Sequence, residues 1–193
     1  LKYYTNGKMA INGQKITLIT KDDAADPDIA LSSFKEFTSS GTKIIVGSAN
    51  PNVATVLSSQ AEQSRILFIS GSAKNDAITS ASNRFTFRSG NTATQDLAPL
   101  AGIRPISGRK IVLFVEDNNF GLGVIAAARA FMGTRGATFQ ELKVPASTSD
   151  FNTYAKQAAE SKGSYILIAW SNGLTSGSML QALKSQGAFV KLR

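Results

Sequence analysis

Neither cysteine nor histidine occurs anywhere in the 193 residues. Without thiols there is no disulfide framework and no cysteine nucleophile. Without imidazole there is no side chain that titrates unperturbed near neutral pH, and nearly every ordinary zinc constellation is excluded. No histidine- or thiolate-based catalytic residue and no metal ligand set is therefore expected, and the sequence offers no cofactor. Acidic residues are also scarce, 13 against 21 lysines and arginines, which leaves a formal charge of +8 and raises nucleic acid as a partner. The basic residues do not cluster, however. Lys2, Lys8, Lys15, Lys21, Lys35 and Lys43 are dispersed, and the tightest group, Arg104 to Lys110, holds only three. A solvated basic surface with no nucleic-acid partner is the reading. No apolar run approaches the roughly 20 residues a membrane-spanning helix needs.

What is present has an ordinary globular balance, 42% apolar against 18% charged, enough for one good core or two smaller ones built alike. Short β-branched runs alternate with amphipathic stretches that open on cap residues. The run at 15–20 (KITLIT) leads to Asp26-Pro27, a cap followed by proline at the first helical position, and Ala30, Phe34 and Phe37 then share one helical face up to Gly41. The run at 43–47 leads to Asn50-Pro51, a second such cap, and a third run follows at 66–70. A polar, turn-rich interval extends from Gly71 to Gly108. The rhythm then restarts with runs at 110–116, 137–144 and 165–170, preceding helices over roughly 121–133, 150–161 and 172–186. Strands separated by helices of this length imply parallel sheets covered on both faces, and the repeated rhythm fits two α/β lobes built on the same unit. The boundary is expected near 88–91, with a first lobe over 1–88 and a crossover plus second lobe over 89–193. The opening residues read as the tail of a helix running into a turn, and the last ones, from Lys184 on, stop where a strand should begin.

In open α/β sheets, ligands bind outside the carboxyl ends of the strands, where helix N-termini offer unpaired N–H groups. That rule selects Gly47 to Asn52, Ser70 to Asn75, Asp117 to Gly121 and Ala169 to Asn172. Their content is small, hydroxylated and amide-bearing, with one cation, Lys74, and two aromatics, Phe120 and Trp170. Such a set can hold the carboxylate of a small solute while rings close over its body. Each residue also has a purely structural use: Ser48 and Asn50 as helix caps, Lys74 as a solvated loop lysine, Phe120 as a staple for its own helix, and Trp170 as core.

One stretch imitates a different chemistry. Gly121-Leu122-Gly123-Val124-Ile125-Ala126 matches the dinucleotide fingerprint, but there the first glycine must follow the strand at once, and here Glu116 to Phe120 intervene. The acidic residue sought about twenty positions on, Glu141, stands inside a strand run. The two glycines are expected to let a helix start close to a ligand or to the sheet.

These pieces, in order, resemble the type I periplasmic solute-binding proteins, specifically the branched-chain amino-acid (Leu/Ile/Val) receptors of ABC transporters. The likeness is carried by INGQKITLITKDDAADPDIA, KIIVGSANPNVATVLSSQAEQSRILFISGSA, NRFTFRSGNTATQ, KIVLFVEDNNFGLG and DFNTYAKQAAESKGSYILIAW. It implies two Rossmann-like lobes closing around a small carboxylate, either an amino acid or a related organic acid. It also implies no catalytic activity, a periplasmic or extracytoplasmic home and a membrane permease as partner. By position it places Ala49, Pro51, Ser72 and Lys74, with their neighbours Ser48, Asn50 and Ala73, at the ligand's carboxylate and ammonium, and Phe120 and Trp170 as cleft aromatics of the second lobe. Two departures bear on the ligand. Pro51 replaces the usual serine and has neither hydroxyl nor N–H, and Lys74 replaces the usual threonine, putting a cation where an ammonium would sit. A carboxylate without an amino group suits that lysine equally well. The family's first strand and its returning segments are not in this sequence, so the chain is expected to be truncated at both ends, any signal peptide having preceded that strand. A sensory or regulatory domain of the same fold is the alternative, and a Rossmann oxidoreductase is third.

Overall fold

The computed structural model describes residues 3–79 and 83–192; Leu1, Lys2 and Arg193, which belong to the two terminal readings, lie outside them. The start is not the tail of a helix. Turns lead into a small antiparallel hairpin of β1 (Ala10–Ile11) and β2 (Gln14–Lys15), reversed at Asn12 and Gly13 with φ of 50° and 78°. Asn-Gly tolerates the two positive φ angles that such a tight reversal demands.

The run expected as a strand at 15–20 joins that hairpin only at its start, through Lys15 and through Ile16 N, which donates to the carbonyl of Met9 at 2.7 Å. From Thr17 to Lys21 the chain instead runs beside the outer edge of β3 (Ile44–Val46), and the two line a groove of about 230 Å³ with Phe37 and Thr42. Alternating β-branched residues specify an extended backbone, but a ladder also needs a partner within about 4.9 Å, and across the groove there is none.

Helix α1 (Pro27–Ser39) starts where its cap predicts: Asp26 accepts hydrogen bonds from Asp28 N at 2.8 Å and Ile29 N at 3.3 Å. Helix α2 (Pro51–Ser64) does the same through Asn50, which accepts from Asn52 N at 2.8 Å and Val53 N at 3.3 Å. β4 (Leu67–Ser70) follows. The interval read as turn-rich contains two further elements, β5 (Thr86–Arg88) and α3 (Ala93–Ile103). Pro99 inside α3 hides that helix from a propensity reading, yet a reciprocal cap marks its start: Thr92 Oγ1 accepts from Gln95 N at 3.1 Å and Gln95 Oε1 from Thr92 N at 2.8 Å.

β3, β4 and β5 form one parallel three-stranded sheet in the order β3-β4-β5. Ile45, Phe68 and Thr86 line up across it and are buried beneath α1 and α2, with Phe34, Val53, Leu57 and Ile78 completing that core. The opposite face carries Ile44, Val46 and Phe87 at 57%, 70% and 58% exposure. A sheet covered on both faces was expected. Among the described residues it is covered on one, because α1 and α2 both pack on the same side and the described part of the β4-to-β5 connection forms a 3-10 turn at Asp76–Thr79.

The second sheet, β7-β6-β8, meets the expectation. It is built from β6 (Lys110–Glu116), β7 (Thr138–Val144) and β8 (Tyr165–Ala169), all parallel. After Lys110 every residue of β6 is buried, and its period-2 alternation serves two cores. Ile111, Leu113 and Val115 join Leu97 of α3 and Val124, Ile125 and Ala128 of α4 (Asn119–Phe131). Val112 and Phe114 face α5 (Asn152–Glu160) and α6 (Gly173–Ser185), where Phe151, Ala155, Met179 and Leu183 close the other side. Each large apolar side chain so buried contributes about 1.5–3 kcal/mol. The end of the chain, expected to begin a strand, is a helical turn, α7 (Ala188–Lys191), that seats Ala188 and Leu192 in this second core.

Candidate functional site

The four loops chosen by strand polarity lie at the carboxyl ends of β3, β4, β6 and β8, and three of them lead into helices that begin with an asparagine cap. Asn50 takes the second and third amides of α2, and Pro51 has no amide at the first position. The α2 N-terminus therefore has no free donor in its first three positions, contrary to the expectation that helix ends would offer unpaired N–H groups there. Asn118 takes only the third amide of α4, Gly121 N, at 3.0 Å, and Asn172 takes Leu174 N of α6 at 3.0 Å. The first two amides of α4, on Asn119 and Phe120, remain for another acceptor.

In the first lobe, Ser48 is buried and its Oγ accepts from Asn50 N at 3.1 Å, so it shapes its own loop. Ala49 is exposed, Asn50 half-buried and Pro51 buried at the start of α2. Ser72 is exposed and Ala73 fully buried. Lys74 is not a bare loop cation: its Nζ pairs with Asp96 of α3 at 2.8 Å, both side chains remaining partly exposed. Hydrogen bonding from Lys74 holds the Asp96 carboxyl below its ordinary value, burial opposes that, and Asn91 adds to the lowering.

In the second lobe, Phe120 is half-buried against the core under α3 and α4. Trp170 leans the other way. Its ring packs 5.5 Å from Phe151 and 6.1 Å from Phe114, and its indole N–H donates to Thr175 Oγ1 at 3.0 Å. The structure thus favours the core use of Trp170 while leaving it half-buried at the rim.

Residues that the sequence reading passed over hold these loops together. Glu116, the last residue of β6 and 2% exposed, accepts from Ser171 N at 3.2 Å and from the Ser171 hydroxyl, and Asn118 Nδ2 donates to that hydroxyl at 3.2 Å. The loops carrying Phe120 and Trp170 are thereby one unit. In the first lobe Arg88, at the end of β5, donates to the carbonyls of Ala73 at 3.1 Å, Asn75 at 2.6 Å and Asn91 at 3.2 Å, and to Thr79 Oγ1 at 3.0 Å. Burial lowers its pKa from the ordinary value, with the Asp76 charge opposing. Asp76 in turn accepts from Thr94 N at 3.3 Å and Thr94 Oγ1 at 2.5 Å, so the crossover into α3 is strapped to the β4 loop. The Thr92-x-x-Gln95 box was a readable signal for this crossover; nothing in the sequence marks Glu116 or Arg88 apart from any other strand-end charge.

Besides the Lys74–Asp96 and Asp76–Thr94 contacts to α3, one hydrogen bond among the described residues runs from the first lobe to α4. Asn75 Nδ2 of the β4 loop donates to the carbonyl of Asn119 in α4 at 2.8 Å. This brings the Ser72–Lys74 stretch beside Phe120, whereas among the described residues no hydrogen bond joins the Ser48–Pro51 loop to the second lobe. The fingerprint glycines have packing roles. A Cβ on Gly121 would collide with the backbone oxygen of Glu116, so this glycine lets α4 start against its own strand, and a Cβ on Gly123 would fall 2.8 Å from Asn75 Cγ. Neither opens a phosphate cradle. Among the described residues no group of acidic side chains is arranged to hold a metal.

Comparison with known proteins gives this geometry a context. The family model described as periplasmic binding protein matches residues 2–192. Leu/Ile/Val-binding protein homolog 2 of Brucella abortus (strain 2308) is 34% identical over 83 residues, 43% of this chain and 22% of that protein. A crystal structure of an ABC-type branched-chain amino acid transporter from Rhodopseudomonas palustris CGA009 is 29% identical, with a TM-score of 0.62, over 96% of this chain and 53% of that one. The solute binding protein of an ABC transporter from Rhodopseudomonas palustris HaA2, in complex with p-hydroxybenzoic acid, shares the fold at 16% identity and a TM-score of 0.77, over 97% of this chain and 52% of the other. The chain thus spans about half the length of these solved relatives.

Proposed function

The chain belongs to the periplasmic binding protein family, matching it from residue 2 to residue 192, and on that premise we propose that it carries part of each of the two lobes of an extracytoplasmic solute receptor. In this reading the receptor captures a small carboxylate between the lobes and presents it to the permease of an ABC importer. The division falls near residues 88–91, where β5 gives way to the crossover. The observation that carries the reading is the meeting of the β4 loop of one sheet with the α4 start of the other, at the carboxyl ends where open α/β sheets bind ligands. Ser72, Phe120 and the first two amides of α4 are the contacts this geometry supports best. Ser48, Ala49, Asn50 and Pro51 contribute shape, and Trp170 supports the rim from the core side. Lys74 shares its ammonium with Asp96, which offsets part of the charge it offers a ligand carboxylate, so that pair weighs against solutes recognised by charge alone. A ligand touching both lobes shifts the population toward the closed state, and no catalytic step is involved.

The test is thermal unfolding of the full-length protein, freed of carried-over ligand, with L-leucine, L-valine, 4-hydroxybenzoate and a nicotinamide dinucleotide. A ligand at about a hundred times its Kd adds roughly 2.7 kcal/mol. Stabilisation by the amino acids or by the aromatic acid supports the receptor reading and separates the two solute classes; stabilisation by the dinucleotide alone overturns it.

A further inference from the structure

Asn75 is fixed from the first lobe and reaches into the second. Its backbone carbonyl accepts from Arg88 at 2.6 Å, its Oδ1 accepts from Ala77 N at 3.0 Å, and its Nδ2 donates to Asn119 O at 2.8 Å. With both polar atoms of the amide engaged and the residue 7% exposed, moving the side chain costs both hydrogen bonds. Opposite it stands Gly123, one turn into α4 from Asn119. A Cβ there would meet Asn75 Cγ at 2.8 Å, Oδ1 at 2.9 Å and Nδ2 at 3.1 Å. All three nearest atoms belong to this one side chain. Gly123 has no positive φ and lies inside a helix, where alanine is favoured by about 1 kcal/mol, so its conformational freedom does not explain it. The missing methyl is room for Asn75.

We infer that the Asn75–Gly123 contact sets the angle between the lobes and thereby the solute affinity, with Asn75 acting as a positioning residue that does not touch the ligand. The inference rests on the receptor reading for its affinity arm only. Asn75 directly follows Lys74, and Asn119 directly precedes Phe120, so a shift at this point moves the two candidate ligand loops relative to each other. α4 also packs against α2 and the Asp76–Thr79 turn, which makes the contact the polar member of a small interlobe patch. A rigid-body displacement of the width of one methyl here is carried outward along both loops, and misplacement on that scale is enough to change binding tenfold or more.

A double-mutant cycle on the full-length protein tests it. Spin labels on cysteines introduced at the exposed positions Lys35 of α1 and Lys156 of α5 report lobe separation without any ligand. Gly123→Ala is expected to shift the distance distribution and to weaken binding of whichever of L-leucine or 4-hydroxybenzoate the wild type takes, by about tenfold or more. Adding Asn75→Ala removes the three clashing atoms, so the double variant returns to within about threefold of Asn75→Ala alone. The melting temperature reverses sign as well: Gly123→Ala lowers it beside Asn75 and raises it beside Ala, where helix propensity acts unopposed. Simple additivity of the two substitutions, or an unmoved distance distribution in Gly123→Ala, overturns the inference. If neither solute binds the wild type, the receptor reading fails, and the label distances and melting temperatures still decide the contact.

Discussion

At the scale of single residues, the buried carboxyl of Glu116 ties two loops together. Its carboxylate is 2% exposed and satisfies both the amide and the hydroxyl of Ser171. Removing it takes the acceptor from the Ser171 amide and hydroxyl in a partly buried contact, at a net cost of about 0.5–1.5 kcal/mol per hydrogen bond, whereas an amide in the same place keeps an acceptor oxygen. Glu116→Ala is therefore expected to lower the urea midpoint markedly with an unchanged slope, and Glu116→Gln to lower it by less than half as much. Equal losses would mean that the space filled by the side chain, and not its hydrogen bonds, is what matters. Lys74 carries the opposite lesson. The sequence isolates it as the one cation among the selected loops, but Asp96 approaches from a helix that the sequence reading placed within turns. Ion pairs of such exposure contribute under about 1 kcal/mol, so the pair matters for what Lys74 can reach and little for holding the fold.

At the scale of elements, three asparagine-capped helices face the candidate cleft, and the caps determine which helix ends can receive an anion. Asn50 occupies α2's second and third amides, so Asn50→Ala both removes a cap and frees two donors. The expected loss is about 1 kcal/mol. For a chain of this size that is a fall of roughly 2–4 °C in melting temperature, measurable by circular dichroism. A fall beyond ten degrees would show that Asn50 holds more than its helix. The central strand β6 shows how an element serves two cores at once. Its odd residues Ile111, Leu113 and Val115 and its even residues Val112 and Phe114 enter different clusters because successive side chains leave a strand on opposite faces.

At the scale of the whole molecule, the two lobes differ in how fully these 193 residues clothe them. The second sheet is covered on both faces. The first presents Ile44, Val46 and Phe87 on an open face, beside an edge strand with a groove along it. Apolar sheet surface of this kind associates with other apolar surface. The 193-residue chain by itself is expected to bind a hydrophobic dye and to self-associate in sedimentation, and Val46→Lys with Phe87→Lys to reduce both. Unchanged sedimentation in that variant would place the association elsewhere.

The sequence by itself determined the strands and helices that follow period and cap rules. The runs at 110–116, 137–144 and 165–170 are strands within a residue of those limits, and Asp26-Pro27 and Asn50-Pro51 open helices where their chemistry says. Its ordered motifs also carried the family likeness, because local signals and their order survive in the linear chain. What only the tertiary structure decided depends on neighbours remote in sequence. The run at 15–20 has no ladder partner beyond Lys15 among the described residues, α3 forms despite Pro99, Trp170 turns toward the core, and Lys74 pairs with Asp96. The interlobe point is the clearest case. Asn75 and Gly123 are ordinary residues, 48 positions apart in the chain by their numbers, and only folding brings the amide of one into the space left by the absent side chain of the other.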